Sequence, residues 1–211
     1  MILQSLNIMD QMIIPTNIVG KPTDLEYTIT SDTHQEAVNC FTRACKRLQN
    51  PPVWHLLCGA LSGTFSLTDS TGRLLSRLAE TGDYLQIDMH IPGTKAGKGY
   101  DWVNVEAIEA DIKPDGEIEY FAMRVRPSRN PTTNRPDTAH FFEDIATSTF
   151  IIKRIGNTVT ASYHGRNEVP NTETSDTKDV IRNVIVATGA AAGLSELQWS
   201  ALMKAFLKEE L

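Results

Sequence analysis

The stretch Thr149-Phe-Ile-Ile-Lys-Arg-Ile-Gly-Asn-Thr-Val-Thr-Ala-Ser-Tyr-His164 decides the fold class. Two runs rich in β-branched and aromatic residues flank Gly156-Asn157, a pair suited to a tight reversal. That is the signature of an antiparallel hairpin. Working backward, Ile118–Arg126 and Trp102–Ile112 form a second hairpin around the turn Lys113-Pro114-Asp115-Gly116. Tyr84–Ile91 alternates apolar and polar residues, and Thr64–Leu67 reads as another strand before the turn Asp69-Ser70-Thr71-Gly72.

At the N-terminal side the period changes. Leu25–Thr30 alternates as a strand, after which Ser31 or Asp32 is placed to cap a helix over about 34–48. Ala37, Val38, Phe41, Ala44, Cys45 and Leu48 form its apolar stripe. Pro52 opens a second short helix running to about Leu61. His140–Ala146 is read as a helical turn. Near the C-terminus, Val180, Ile181, Val184, Ile185, Thr188 and Ala191 make a helical stripe closed by Gly193. Ser195-Glu-Leu-Gln198 is a capping box for a last helix, whose apolar face carries Leu197, Ala201, Leu202, Ala205 and Phe206. The expected class is therefore α+β: an antiparallel sheet of about six or seven strands around a C-terminal helix, with two helices after the first strand. The division is residues 1–24 as an N-terminal amphipathic extension and 25–211 as one α+β domain. In the extension, Ile2, Leu6, Met9 and Ile13 recur at helical spacing, fit to pack on the domain or on a second subunit.

This element order resembles that of the helix-grip superfamily, the START-domain and pollen-allergen-like ligand-binding proteins, over about residues 25–192. No diagnostic motif accompanies the order. The resemblance implies a curved sheet gripping the long C-terminal helix around a cavity, with a lipid or apolar small molecule as ligand, or cyclase-like chemistry.

Composition limits the partners. Of 211 residues, 41% are hydrophobic and 22% charged, and the net charge is -6. A surplus of acid disfavours nucleic-acid binding, which draws on cationic side chains to displace counterions. No run approaches the ~20 apolar residues of a membrane span. The three cysteines, Cys40, Cys45 and Cys58, read as buried thiols of a reducing, cytoplasmic setting. His34, His55, His90, His140 and His164 show no metal-ligand spacing, and neither metal nor cofactor is expected.

If each strand turns its more apolar side inward, the lining is Leu85, Ile87, Met89, Ile91, Val103, Val105, Ala107, Phe121, Met123, Val125, Val159, Ala161 and Tyr163. Tyr163 alone in this set carries a polar tip. The lining suits an apolar ligand, and it suits a filled core equally well. On the first reading the chain is a pocket protein for a small apolar or amphipathic molecule. Phe121, Met123 and Tyr163 lie inside, Arg124, Arg126 and Arg166 at the rim, and Phe141 with Phe142 as a lid. On a second reading His164, Glu168 and His140 converge at the cavity mouth as an acid–base site. On a third the chain is a homo-oligomeric interaction protein, a homodimer built through the N-terminal segment and the small-residue run Ala187–Ala192.

Overall fold

The computed structural model describes residues 13–58, 63–89, 96–172, 183, 184, 186 and 194–209. Strand β1 (Thr23–Thr30) is followed by helix α1 (His34–Leu48), a 3-10 turn (Pro51–Val53) and helix α2 (Trp54–Cys58). Then come β2 (Thr64–Thr68), β3 (Tyr84–Asp88), β4 (Asp101–Asp111), β5 (Ile118–Pro127), β6 (Thr147–Ile155), β7 (Thr158–Arg166) and helix α3 (Leu194–Leu207). The strands form one sheet in the order β1-β7-β6-β5-β4-β3-β2, every neighbouring pair antiparallel. The first strand thus pairs with the last, Leu25 opposite Tyr163 and Ile29 opposite Val159. The fold class is the expected α+β.

Helix α1 matches its expected span, but Thr33 is the cap. Its hydroxyl accepts from the Glu36 backbone N–H at 3.2 Å, and the Glu36 carboxylate accepts from the Thr33 N–H at 3.0 Å. The turns at Gly72 and Gly116 close as expected, each glycine N–H donating to the carbonyl three residues back. The expected helical turn at His140–Ala146 is instead a set of bends ending in one turn, Ala146 N–H donating to Glu143. Strand β3 stops at Asp88, short of the expected Ile91, which lies outside the described residues with His90. So do most of the expected 180–191 helix, Gly193, the run Ala187–Ala192 and residues 1–12.

The core lies between the inner face of the sheet and helices α1, α2 and α3. Trp54 sits at its centre, with ring centroids 5.0 Å from Phe65, 5.2 Å from Phe150 and 6.0 Å from Phe206. A side chain bordering a hollow wide enough for water keeps accessible area toward it. Met123, Val105, Ile152, Ala161 and Val159 keep 0%, and Phe121 5%. Among the described residues the middle of this face is filled by side chains, as expected of close-packed interiors.

Three sequence expectations about faces are corrected here. A β-bulge between Val105 and Ala107 shifts the register, so Ala107 pairs with Arg124 on the outer face and Ile108 turns toward the core. On α3, Leu197 is 71% exposed and Ala201 is also exposed, whereas Trp199 and Met203 turn to the core. The inner face also holds ions. Glu119 and Arg154 pair across β5 and β6 with their side chains sealed from solvent, Arg154 Nε donating to Glu119 Oε2 at 2.6 Å. The guanidinium also donates to the carbonyls of Gly116 and Gly156. Burial of such a pair is tolerable only with this extra bonding.

The outer face is partly covered by the chain's own beginning. Ile13 and Ile14 pack on Ala122, Ile151 and Tyr120. Residues 16–19 are then tied to Asn167: its Oδ1 accepts from the N–H groups of Ile18 and Val19, and its Nδ2 donates to the Thr16 carbonyl. Among the described residues no helix is long and apolar enough to cross a membrane.

Candidate functional site

The sheet alternation places Ser148 on β6 and Tyr163 and Gly165 on β7 on the inner face, near one end of the sheet. Beyond β7 the backbone turns back at Asn167, whose φ of 56° is in the left-handed region that Asn tolerates better than most residues. This return lays the Glu168 carboxylate over Gly165. A Cβ at position 165 would stand 2.5 Å from Glu168 Oε1 and 3.1 Å from the Tyr163 hydroxyl, so only glycine leaves room.

The group assembled this way is compact. The Tyr163 hydroxyl donates to Glu168 Oε1 at 2.9 Å and lies 3.2 Å from the Ser148 hydroxyl. Thr23 Oγ1 on β1 donates to Glu168 Oε2 over a long 3.4 Å. Trp199 of α3 stacks on the Tyr163 ring, centroids 5.0 Å apart and planes 16° from parallel, and meets Phe150 edge-on at 5.3 Å. Burial pushes the Glu168 carboxyl above its ordinary range, against the pull of the Tyr163 and Thr23 hydrogen bonds and of the Arg166 charge. Burial and the neighbouring carboxylate drive the Tyr163 phenol well up as well, so it remains a donor. The arrangement presents a carboxylate with one loosely held oxygen, three hydroxyls and an indole face. It can accept a hydrogen bond from a donor head group, and it can hold a proton between Tyr163 and Glu168.

Other residues singled out in the sequence lie elsewhere. Phe121 and Met123 are sealed in the core. Arg124 and Arg126 are on the outer face, both bonded to Glu106 at 2.7 and 2.9 Å. Burial lifts the Glu106 carboxyl, but the two guanidiniums outweigh that and hold it below its usual range. Arg124 also donates to the Ile13 carbonyl, and Arg126 to those of Asp144 and Ile145. Arg126 borders an outer cleft of about 580 Å³ together with Ser128, Arg129 and Asp144. Arg166 is on the outer face, donating to Asp24 at 2.7 Å and to the Thr23 and Gly165 carbonyls. His140 stacks on Phe141, Phe142 lies tilted against both rings, and His140 Nδ1 accepts from the Phe142 N–H at 3.0 Å.

His164 and Glu168 are not brought together. His164 points to the outer face, its Nδ1 2.6 Å from Asp24 and its Nε2 3.0 Å from the Ser162 hydroxyl. The Asp24 carboxyl, raised by burial, is pulled lower by Arg166 and His164, for a net fall below its ordinary value. The order Asp–His–Ser is one that activates a serine. However, β7 is hydrogen-bonded on both sides along this stretch. Its backbone N–H groups serve the ladder rather than an oxyanion. Burial pushes all three thiols up, Cys58 to about 11, which keeps that sulfur protonated near neutrality. Among the described residues no cluster of three His, Cys, Asp or Glu side chains could hold a metal ion.

Sequence reading missed Ser148, Thr23, Gly165 and Trp199. The one available signal was the glycine two residues after Tyr163 and three before Glu168. It reads as a strand end until the return of Glu168 is known.

No family model matches the chain, and no curated protein matches it. Among solved structures, a hypothetical protein from Helicobacter pylori is similar over 89% of this chain and 86% of its own, at 11% identity and TM-score 0.46. Norcoclaurine synthase from Thalictrum flavum, in complex with dopamine and hydroxybenzaldehyde, is similar over 97% and 94%, at 10% identity and TM-score 0.35. A major latex-like protein from Panax ginseng is similar over 82% and 96%, at 10% identity and TM-score 0.34.

Proposed function

We propose that this chain binds a small amphipathic molecule at the margin of its inner face, with a hydrogen-bond-donating head, an amine or hydroxyl, against Glu168. The observation that carries this reading is the Glu168 carboxylate itself. It is half-buried, bonded by Tyr163 on one oxygen and only loosely by Thr23 on the other. The filled middle of the core moves the seat away from Phe121 and Met123. It lies instead where β1 meets β7 and α3. There Leu25 and Tyr27, half-buried, pair with Tyr163 and Ala161 beneath the last helix, supplying an apolar floor for the ligand's body. Lys204 stands 5.7 Å from the Tyr27 ring at the far end of that strip. Side chains with remaining accessible area, flanking a few convergent polar groups, are what a small-ligand site requires.

Thermal unfolding with straight-chain amines, alcohols and carboxylates of equal length tests this. Amines or alcohols are expected to raise the melting temperature in a concentration-dependent way, as any ligand of the native state does. Carboxylates should not, because Glu168 repels them. Tyr163→Phe should abolish the rise measured from its own ligand-free baseline. If no donor-headed compound shifts the transition and native mass spectrometry shows no adduct, the reading fails.

A further inference from the structure

We infer that a second site, for a phosphate group on a small molecule, lies on the opposite side of α1 from the core. A cleft of about 460 Å³ runs along this helix, lined by Asn39, Thr42, Arg43, Lys46, Arg47 and Asn50, with Val53 at its end. The volume is in the range of small-ligand sites. No lining residue is acidic, although the whole chain carries a net charge of -6.

Charge balance separates a site from a helix-end cap. Arg43, Lys46 and Arg47 occupy positions i, i+3 and i+4, where like charges repel. Burial and the nearby Arg43 charge both push the Arg47 guanidinium below its ordinary value, and electrostatic attraction to Cys40 only partly offsets this. Part of this cationic charge answers the end of α3. Arg47 Nη1 donates to the carbonyls of Ala205, Phe206 and Lys208, and Arg43 donates to those of Leu207 and Lys208. The C-termini of α1 and α3 both face this region, and each is equivalent to roughly half a negative charge. Lys208 and Glu209 just beyond α3 cancel one another. Among the described residues three cations outweigh the two helix-end half charges, the sign that a phosphate monoester of roughly -1.5 to -2 requires, and Glu210, next in the sequence, reduces that excess.

Geometry adds to charge. The α3 carbonyls fix Arg43 and Arg47 in place, so little side-chain entropy remains to be lost on binding. Arg43 Nη1 and Arg47 Nε and Nη2 keep donors not used by the helix end. Guanidinium forks match phosphate oxygens in pairs. The side chains of Thr42, Asn39 and Asn50 supply further hydrogen-bonding groups on the same face. This inference stands independently of the Glu168 site.

Titration by NMR with inorganic phosphate, pyrophosphate and adenosine triphosphate, each separately, tests it in the intact chain. Saturable shifts at the amides of residues 39–50 and at the Asn39 and Asn50 side chains are expected, with Kd below ~1 mM for at least one phosphate compound. Saturation by pyrophosphate alone would identify the phosphate chain as the recognised group. Saturation by the nucleotide alone would add the base, seated on Val53. Lys46 is exposed and bonded to no described group, so Lys46→Glu should preserve the fold and weaken binding at least about tenfold. Lys21→Glu makes the same charge change at a side chain 82% exposed and should leave binding unaltered. Equal loss in both variants, shifts centred elsewhere, or no saturation with any of the three compounds would overturn the proposal.

Discussion

At the scale of single residues, Glu168 carries the most unusual chemistry. Burial raises its carboxyl above the ordinary 4.5, so the native chain holds that proton more tightly than the unfolded chain does. A raised carboxyl therefore favours folding when protonated and loses that contribution as pH climbs from 4.5 through the raised value. Glu168→Gln does not titrate. The variant should match the native chain below pH 4.5 and become increasingly the more stable of the two toward neutrality. Urea unfolding at a series of pH values measures this difference, in which every titration common to both proteins cancels. A native chain that gains stability relative to the variant as pH rises would show that Tyr163 and Thr23 outweigh burial. Little of this was legible in the residues. His164-Gly-Arg-Asn-Glu168 reads as a polar strand end, and nothing local states that the glycine is vacant space for a carboxylate arriving from three positions on.

Elements were more legible than faces. The span of α1 followed from its period, and both long hairpins followed from Pro-Asp-Gly and Gly-Asn turns, because local backbone preference and apolar alternation agree there. The bulge before Ala107 broke the inference of face, since one extra residue inverts the parity of all that follow. Helix α3 failed differently: Leu197, Trp199, Ala201, Leu202, Met203, Ala205, Phe206 and Leu207 leave no clean stripe to choose. Arg154 was not singled out, because the sequence alone assigned no inward face to the strand that carries it. Between β5 and β6 it is the inner pair with Glu119 that needs both members, and Glu119 Oε1 already has no hydrogen-bond partner. Arg154→Met alone should cost about 3–5 kcal/mol, because it strands a buried carboxylate. The double change Arg154→Met with Glu119→Leu should recover most of that loss. Denaturant midpoints of the native chain, the single and the double variant check both statements. A double variant as damaged as the single would mean that the pair contributes packing rather than charge.

At the scale of the whole molecule, the sheet is held between the two ends of the described chain. Ile13 and Ile14 lie on its outer face, and α3 lies on its inner face. Asn167 joins these levels, since it binds the incoming segment while its backbone returns Glu168 to Tyr163. Asn167→Gly keeps the positive φ and removes only the side-chain bonds. It should cost about 1–2 kcal/mol. It should also speed amide hydrogen exchange at Ile18 and Val19, whose N–H groups the Asn167 carbonyl holds. Unchanged exchange there would show that apolar contact alone secures the segment. The pairing of β1 with β7 has a further outcome during synthesis. Thr23 emerges from the ribosome well over a hundred residues before Gly165, the position it must join. An early edge has to wait, unzipped, for its mate, and the loop to be closed spans well over a hundred residues. Such distant pairings fold in milliseconds to seconds rather than microseconds. The nascent chain therefore passes its most vulnerable interval with the greasy side of five later strands already made and the helix that seals them still inside the exit tunnel.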